Sequence, residues 1–284
     1  MKIKYYGTAA AEGWPGLFCV CPFCTEAKKR GGKNIRTRSQ SAIDDRLLID
    51  FPPDTYLHML FYGLDLPKYK SCIITHAHED HLYPQDLGMR AHGYASELIP
   101  EKFSVYAPDS AIALIEALPD WAKDRERLEW QEIMEYTTYE IEGYKVTPML
   151  ARHGKYEKPP IKCYIYTIEK DGERILYGND TGWFPDETWA YIRGRHYDLV
   201  SLDCTLLARK EGTNHMGVED VLETQKKLIE IGCADENTVW VINHFSHNGG
   251  ILHEELEEKL CIRPTSETLF CDHWSHIVPS WRDL

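Results

Sequence analysis

Three histidines and two acidic residues within six positions constrain the fold of this chain more than any other feature. The segment His76-Ala77-His78-Glu79-Asp80-His81 directly follows an apolar run at residues 72–74 and a threonine. Neutral imidazole and carboxylate are ligands for zinc, manganese and iron. Buried polar groups that lack partners pay a desolvation cost, so this cluster is expensive without an ion. The pattern therefore predicts a metal site at the end of a buried strand rather than a solvated polar turn.

The spacing of these residues, HxHxDH after a strand, resembles the signature of the metallo-β-lactamase fold superfamily. In that family the first two histidines bind one metal, and the Asp-His pair binds a second. The resemblance implies further ligands downstream, and each match ends an apolar run, where strand-to-loop junctions can converge. The implied set is His76, His78 and His153 for the first metal, Asp80, His81 and His244 for the second, and Asp180 as the bridge.

A second metal site of a different kind is predicted near the N-terminus. Cys19, Cys21 and Cys24 place three thiols within six residues, and Pro22 forces a turn inside the group. In a reducing compartment this spacing is typical of a structural zinc site, which needs four ligands. His247, three residues after His244, is the predicted fourth ligand. This zinc knuckle at residues 19–24 would hold the N-terminal loop beside the active site, and a reduced loop without metal is the alternative.

The cysteine triplet, HxHxDH and the late HxxH at residues 244–247 together resemble the PhnP-like branch of the superfamily, a family of phosphoribosyl cyclic phosphodiesterases. The match includes residues 7–10 and 202–205 and extends over nearly the whole chain. The resemblance implies that His215 is the phosphate-contacting histidine of the family. Protonated, it would stabilise the transition state or donate a proton to the leaving alkoxide. Asp80 is also expected to serve in catalysis, and a surface role is the alternative for His215.

Composition and net charge restrict the cellular environment and the binding partners that we expect for this protein. The chain has 284 residues, 43% of them apolar, and a net charge of −13. That charge disfavours nonspecific binding to nucleic acid and to anionic membranes. No stretch approaches eighteen apolar residues, and the first seven residues resemble a strand rather than a signal peptide. We expect a cytoplasmic protein without a membrane segment, and a homodimer is left open.

Strand and helix patterns predict one mixed α/β domain over residues 1–284. Hairpins are expected at 40–51, 138–151 and 163–178, with further strands near 72–74, 199–203, 238–242 and 268–271. A strand at 103–107 is expected to precede a helix opened by residues 108–110. Further helices are expected near 86–96, 186–193, 217–231 and 251–259, and residues 119–136 as an irregular helical connection. Two series of strands, each followed by helices, suit the four-layer αββα sandwich of the metallo-β-lactamase type that the resemblance implies.

Two cations held a few ångströms apart yield a bridging hydroxide at neutral pH and neutralise charge on a phosphoryl group. The predicted function is hydrolysis of a small anionic phosphodiester of the cyclic phosphoribosyl type. The predicted cofactors are two divalent ions, manganese or zinc with iron as a further option, and one structural zinc.

Three other functions are weighed against this one. A tRNA 3′-processing nuclease shares the chemistry, but the net charge is negative and no basic insertion is evident. A thioester or lactone hydrolase on the same fold stays open. A noncatalytic metal-binding protein is disfavoured, because seven ligand candidates form a complete dinuclear set.

Two carboxylates and one loop have weaker support. Asp50 ends a core strand where it could fix the tautomer of a ligand histidine, and Asp203 has a similar status. An ordinary aspartate at the end of a strand is the alternative for both. The loop from Lys155 to Pro160 follows His153 and could overhang the site, or it could be a solvated loop.

Overall fold

A computed structural model describes residues 1–99, 102–154 and 157–261, with the last three of these as backbone only. These residues form two six-stranded sheets. The first contains β1 (Ile3–Gly7), β2 (Gln40–Ile43), β3 (Leu47–Ile49), β4 (Ser71–Ile73), β5 (Phe103–Ala107) and β6 (Leu128–Glu132). The second contains β7 (Tyr139–Ile141), β8 (Tyr144–Leu150), β9 (Tyr164–Lys170), β10 (Glu173–Gly178), β11 (Leu199–Asp203) and β12 (Val239–Asn243).

Each sheet is partly antiparallel and partly parallel. The first has the order β1-β2-β3-β4-β5-β6 and becomes parallel from β3 onward. The second has the order β12-β11-β10-β9-β8-β7, and β10, β11 and β12 are parallel. Parallel neighbours need long crossovers, which are usually helical.

In the described part of the chain, six α-helices lie between or beside these strands. They are α1 (Pro22–Arg30), α2 (Thr55–Phe61), α3 (Asp109–Glu116), α4 (Asp186–Ile192), α5 (Val218–Glu230) and α6 (His253–Cys261). Four of them supply crossovers: α2 joins β3 to β4, α3 joins β5 to β6, α4 joins β10 to β11, and α5 joins β11 to β12. Prolines stand before α3 and α4, where a fixed φ and a missing N–H cost nothing.

Three buried clusters define the layers. One lies between the sheets and is rich in tyrosine, with Tyr144, Tyr164, Tyr166 and Tyr177 all buried. Their hydroxyls are hydrogen-bonded; for example, Tyr166 donates to the carbonyl of Ile74 at 2.6 Å. A second cluster packs α3 on the first sheet, and a third packs α1, α4, α5 and α6 on the second. The predicted four-layer αββα sandwich is confirmed.

The three predicted hairpins and the helices near 186, 217 and 251 are present. Residues 86–96 are not one helix: a 3-10 helix runs from Pro84 to Arg90, and Gly93 then takes a φ of 94° that ends any helical course. The helical connection predicted for 119–136 is also wrong, because β6 pairs with β5 there. The charged residues made this segment resemble a surface helix. In the structure, Glu129 and Glu132 are exposed on an edge strand whose Leu128 is buried.

Two helices, α1 and α2, were not predicted. The strand predicted at 268–271 lies outside the described residues, so the single domain over 1–284 stays a prediction. Within the described ranges, no helix combines the length and the apolar character needed to cross a bilayer.

Candidate dinuclear metal centre and active site

The candidate ligands collect at one edge of the sandwich, after the carboxyl ends of one strand of the first sheet and three alternate strands of the second. The HxHxDH segment follows β4, and His153, Asp180 and His244 follow β8, β10 and β12. Asp180 and His244 turn away from their strands with left-handed φ angles of 54° and 63°. Non-glycine residues pay for that conformation, and such residues cluster at functional sites. Both sheets therefore contribute to one site.

Four donor atoms form a first donor set: His76 Nε2, His78 Nδ1, His153 Nε2 and Asp180 Oδ2. His78 Nδ1 lies 2.9 Å from His76 Nε2 and 3.1 Å from His153 Nε2. Asp180 Oδ2 lies 3.1 Å from His76 Nε2 and 3.3 Å from His153 Nε2. The structure brings together all four residues that the sequence assigned to this position.

The second donor set consists of Asp80 Oδ2, His81 Nε2, His244 Nε2 and the same Asp180 Oδ2. His81 Nε2 lies 3.3 Å from Asp80, 3.2 Å from Asp180 and 3.2 Å from His244 Nε2. His244 Nε2 lies 3.5 Å from Asp80 and 3.8 Å from Asp180. One carboxylate oxygen of Asp180 therefore lies between both sets, as the bridging assignment predicts.

Hydrogen bonds on the far side of each ring orient the inward nitrogens. His81 Nδ1 donates to Asp50 Oδ2 at 2.7 Å, and His244 Nδ1 donates to the hydroxyl of Thr205 at 2.8 Å. His153 Nδ1 donates to the carbonyl of Asn214 at 3.3 Å.

His76 follows the same rule: its Nδ1 lies 3.0 Å from the hydroxyl of Thr75, which donates to Asp50 Oδ1 at 2.9 Å. A ring that donates through one nitrogen presents a lone pair at the other. Such partners fix the tautomer of metal-binding histidines.

The donor spacing fits small cations. Zinc–nitrogen bonds of 2.0–2.1 Å in a tetrahedron put neighbouring nitrogens about 3.3 Å apart. The contacts within the first set span 2.9–3.3 Å. Inward lone pairs at this separation repel one another unless a cation or a proton lies between them. The residues present therefore fit two divalent ions that share Asp180, and ligation itself stays a prediction.

The protein groups alone already favour ionised carboxylates at the centre. Burial raises the pKa of Asp180, but His153 and His244 outweigh that effect and hold it well below its ordinary value. Burial lowers the pKa of His81, but Asp80 and Asp50 outweigh burial and hold it well above the ordinary value. Carboxylates must be ionised and histidines neutral to bind a metal, so the charge of Asp180 suits the predicted role, whereas His81 has to give up a proton when an ion binds.

His215 lies against the second donor set without belonging to it. Its Nδ1 lies 3.1 Å from Asp180 Oδ1 and 3.3 Å from Asp203 Oδ2. Burial lowers the pKa of His215, but the two carboxylates outweigh it and raise that pKa to about 11. Asp203 also accepts the N–H of Met216 at 2.7 Å and the hydroxyl of Thr205 at 2.7 Å. The buried Asp203 therefore holds both the loop and the ring of His215.

The cysteine site is assembled as predicted from Cys19, Cys21, Cys24 and His247. His247 Nδ1 lies 3.6 Å from the sulfur of Cys21 and 3.9 Å from that of Cys19. In a tetrahedral zinc site, a cysteine sulfur and a histidine nitrogen that bind the same ion lie about 3.6 Å apart. The donor chemistry and spacing therefore fit a structural zinc.

Backbone N–H groups approach all three sulfurs of this site. Cys19, Cys21 and Cys24 accept the N–H groups of Cys21, Cys24 and Gly16, at 3.4, 3.4 and 3.3 Å. Such donors stabilise negative charge on sulfur and thereby favour the thiolate that binds metal.

The zinc knuckle and the metal centre share one segment of chain. His244 faces the centre and His247 faces the cysteines, three residues later. Between them, Phe245 exchanges backbone hydrogen bonds with the N-terminal loop, donating to Thr8 at 2.8 Å and accepting from Ala10 at 2.9 Å. The predicted placement of the N-terminal loop beside the site is what the structure shows.

A cavity of about 410 Å³ opens onto the metal centre. This volume lies in the range of small-molecule sites. Its walls include His215 and Arg209 from the β11–α5 loop, and Glu12 from the N-terminal loop. The loop predicted to overhang the site is described only from Glu157 onward, and the Glu157 carboxylate lies 3.5 Å from His78 Nε2.

Sequence reasoning missed four residues at this site. Thr75 and Thr205 link the aspartates to the ligand histidines, and Glu12 and Arg209 line the cavity. Thr75 and Thr205 lie within two positions of assigned residues in the sequence, and this proximity could have identified them. Glu12 and Arg209 have no motif, and only the folded loops bring them to the site.

The comparisons with known proteins place this chain in a family. Residues 45–231 match the model of the beta-lactamase superfamily domain. That match spans more than half of the chain. This protein therefore belongs to the beta-lactamase superfamily domain family, as the sequence predicted.

Solved structures share the fold at low sequence identity. A diphosphatase from the PhnP family has a TM-score of 0.68 and 20% identity, over 93% of this chain and 92% of that one. Zinc-bound PqqB from Methylobacterium extorquens has a TM-score of 0.62 and 18% identity, over 87% and 98%. The short form of human tRNase Z has a TM-score of 0.60 and 16% identity, over 87% and 93%. At these identities the likenesses show a shared fold.

Curated relatives match only part of the chain. A proline–tRNA ligase from Lachnoclostridium phytofermentans is 52% identical over 66 residues, which are 23% of this chain and 12% of that protein. A proline–tRNA ligase 2 from Bacillus thuringiensis is 48% identical over 120 residues, 41% of this chain and 23% of that protein. The chain thus spans less than a quarter of these relatives.

Proposed function

We propose that this protein is a metal-dependent phosphodiesterase that hydrolyses a small phosphodiester of the cyclic phosphoribosyl type. The observation that carries the proposal is His215, which lines the cavity and contacts the shared Asp180. The candidate ligands are His76, His78, His153 and Asp180 for one ion, and Asp80, His81, His244 and Asp180 for the other. Two divalent ions, when bound there, supply a nucleophilic hydroxide at neutral pH and neutralise phosphoryl charge.

The chain's own residues supply orientation and a proton. Asp180 and Asp203 hold the Nδ1 side of His215, which leaves its Nε2 without a partner in the described chain. A proton held at Nε2 would pass to the leaving alkoxide, or its N–H would bond a phosphoryl oxygen. Asp50 and Thr205 hold His81 and His244 in one tautomer. This arrangement is pre-organised before substrate enters.

A tRNA 3′-end nuclease is the second candidate, because human tRNase Z shares the fold. The net charge of −13 disfavours it, since binding to nucleic acid gains most of its affinity from cations against phosphates. Hydrolysis of a thioester or lactone would use the same centre and stays an alternative. We rank both below a small phosphodiester.

Phosphorus NMR of 5-phosphoribosyl 1,2-cyclic phosphate, with manganese-reconstituted protein, tests the proposal. We expect the cyclic diester resonance to be replaced by those of a ribose bisphosphate. Protein treated with a chelator is the control and should leave the diester intact. An unchanged spectrum from protein with filled metal sites would reject this substrate and favour an acyl ester or another diester.

A further inference from the structure

Arg209 is a cation at the cavity that no other part of the site uses. It lies on the β11–α5 loop, which follows Asp203 and also carries His215, and its exposed side chain lines the cavity. Within the described residues it has no ion pair and no side-chain hydrogen bond. The adjacent Lys210 differs, since its ammonium group pairs with Glu223 at 2.5 Å and does not line the cavity.

The backbone of Arg209 is fixed although its side chain is free. Its N–H donates to the carbonyl of Leu206 at 2.9 Å, and the N–H of Ala208 donates to Gly249 at 3.3 Å. Its carbonyl packs so closely on Gly217 that a Cβ there would lie 1.8 Å from the oxygen. The backbone therefore fixes the point at the cavity wall from which the Arg209 side chain extends.

Among the described residues, Arg209 is an unpaired cation in strongly acidic surroundings. The chain carries 45 acidic and 32 basic residues, and the cavity is also lined by Glu12, Asp80 and Asp180. Asp180 lies among histidines, and Glu12 Oε1 accepts from the hydroxyl of Ser246. These acidic groups thus have nearer partners than Arg209. An arginine that is left unpaired among so many acids is available to an anionic ligand.

The size of the cavity leaves room for more than the reacting group. About 410 Å³ is several times the volume of one phosphate, so the cavity has room for further parts of a substrate. Guanidinium binds phosphate and carboxylate through paired N–H groups. We propose that Arg209 binds a second anionic group of the substrate, separate from the phosphoryl group that reacts. This inference rests on the proposed function and extends it to a specificity-determining residue.

Paired substrates that differ only in that second group test the inference. The values of kcat/KM are measured for 5-phosphoribosyl 1,2-cyclic phosphate and for ribosyl 1,2-cyclic phosphate, which lacks the 5-phosphate. Hydrogen bonds to charged groups contribute about 1.5–3 kcal/mol, so Arg209→Gln should reduce the ratio of the two values about 10–100-fold. The reduction should appear mainly in KM for the phosphorylated substrate. Lys210→Gln removes the same charge one residue away and should keep the wild-type ratio.

A wild-type ratio in Arg209→Gln would overturn the inference, and so would a ratio that falls equally in Lys210→Gln. If the proposed function itself is wrong, the wild-type protein will hydrolyse neither substrate. Calorimetry with ribose 5-phosphate and ribose then decides the question for Arg209. Tighter binding of the phosphate, weakened at least tenfold by Arg209→Gln, supports the inference, and equal binding by wild type and variant refutes it.

Discussion

Single buried residues behind the ligands decide how the metal centre is held. Asp50 is fully buried, and its φ of 66° turns the carboxylate back toward β4. It accepts three hydrogen bonds, from the N–H and hydroxyl of Thr75 and from Nδ1 of His81. A buried carboxylate is costly without partners, and here its partners are the residues that carry the metal ligands. Asp50 is thus a positioning residue for His81.

Asp50→Asn is therefore expected to weaken the second metal position. Asparagine keeps the size of the side chain and tolerates a left-handed backbone, so the fold should survive. Loss of such a supporting hydrogen bond typically lowers metal affinity about 10–100-fold. Metal titration against a competing chelator measures the change. Asp65→Asn, which alters an exposed carboxylate paired with Lys68, is the control, and equal affinities in both variants would contradict the prediction.

His215→Ala is expected to reduce turnover about 10²–10⁴-fold, the usual contribution of a positioned acid or base. Metal content should stay at the wild-type value, because His215 lies in neither donor set. Steady-state rates together with elemental analysis measure both effects. His196 is exposed and lies outside every candidate metal group of the described residues, so it gives the control substitution, His196→Ala. Wild-type turnover in His215→Ala would exclude this residue from the reaction.

At the scale of elements, the ends of strands are easier to predict than the loops that cover them. The HxHxDH segment, His153, Asp180 and His244 all follow apolar runs; the motif itself marks the segment, and the family resemblance identified the other three. The edge strand β6 was missed because its exposed face is charged, and α1 was hidden by the cysteines at its start. Arg209 and Glu12 could not be predicted, since their distance from the metal centre depends on the tertiary course of two loops.

Loss of zinc from the knuckle is expected to change the structure mainly near the knuckle. Cys21→Ser should remove one equivalent of zinc, because Cys21 lies nearest to His247 and a hydroxyl is a poor substitute for a thiolate. Metal analysis gives the stoichiometry, and proteolysis of the N-terminal loop reports its loosening. Cys233→Ala removes a buried thiol outside the knuckle and should retain all the zinc. Full zinc content in Cys21→Ser would reject the assigned ligand set.

At the scale of the whole molecule, the candidate metal centre lies between the two halves of the sandwich. The first sheet contributes the HxHxDH segment after β4, and the second contributes His153, Asp180 and His244. An ion bound by both sheets binds the folded state alone, so its binding free energy adds to the stability of the fold.

Removal of the metals should therefore lower the melting temperature. A ligand at 1,000 times its Kd contributes about 4 kcal/mol, which corresponds to a shift of roughly 10 °C for a chain of this size. Calorimetric melting with and without chelator, followed by readdition of zinc or manganese, measures the effect and its reversibility. Asp180→Asn should show a much smaller response to chelator. A melting temperature that is insensitive to chelation would mean that the centre does not join the sheets energetically.

Assembly of the zinc knuckle also depends on the time that the ribosome needs to synthesise the chain. Cys21 and His247 are separated by 226 residues, so the thiols leave the ribosome long before their fourth ligand exists. At about 5–20 residues per second, that interval lasts roughly 10–45 s. Throughout it, the nascent chain displays three adjacent cysteines that are open to oxidants and to thiophilic metals. The yield of correctly loaded protein should therefore depend on how fast translation reaches β12, as well as on the stability of the finished fold.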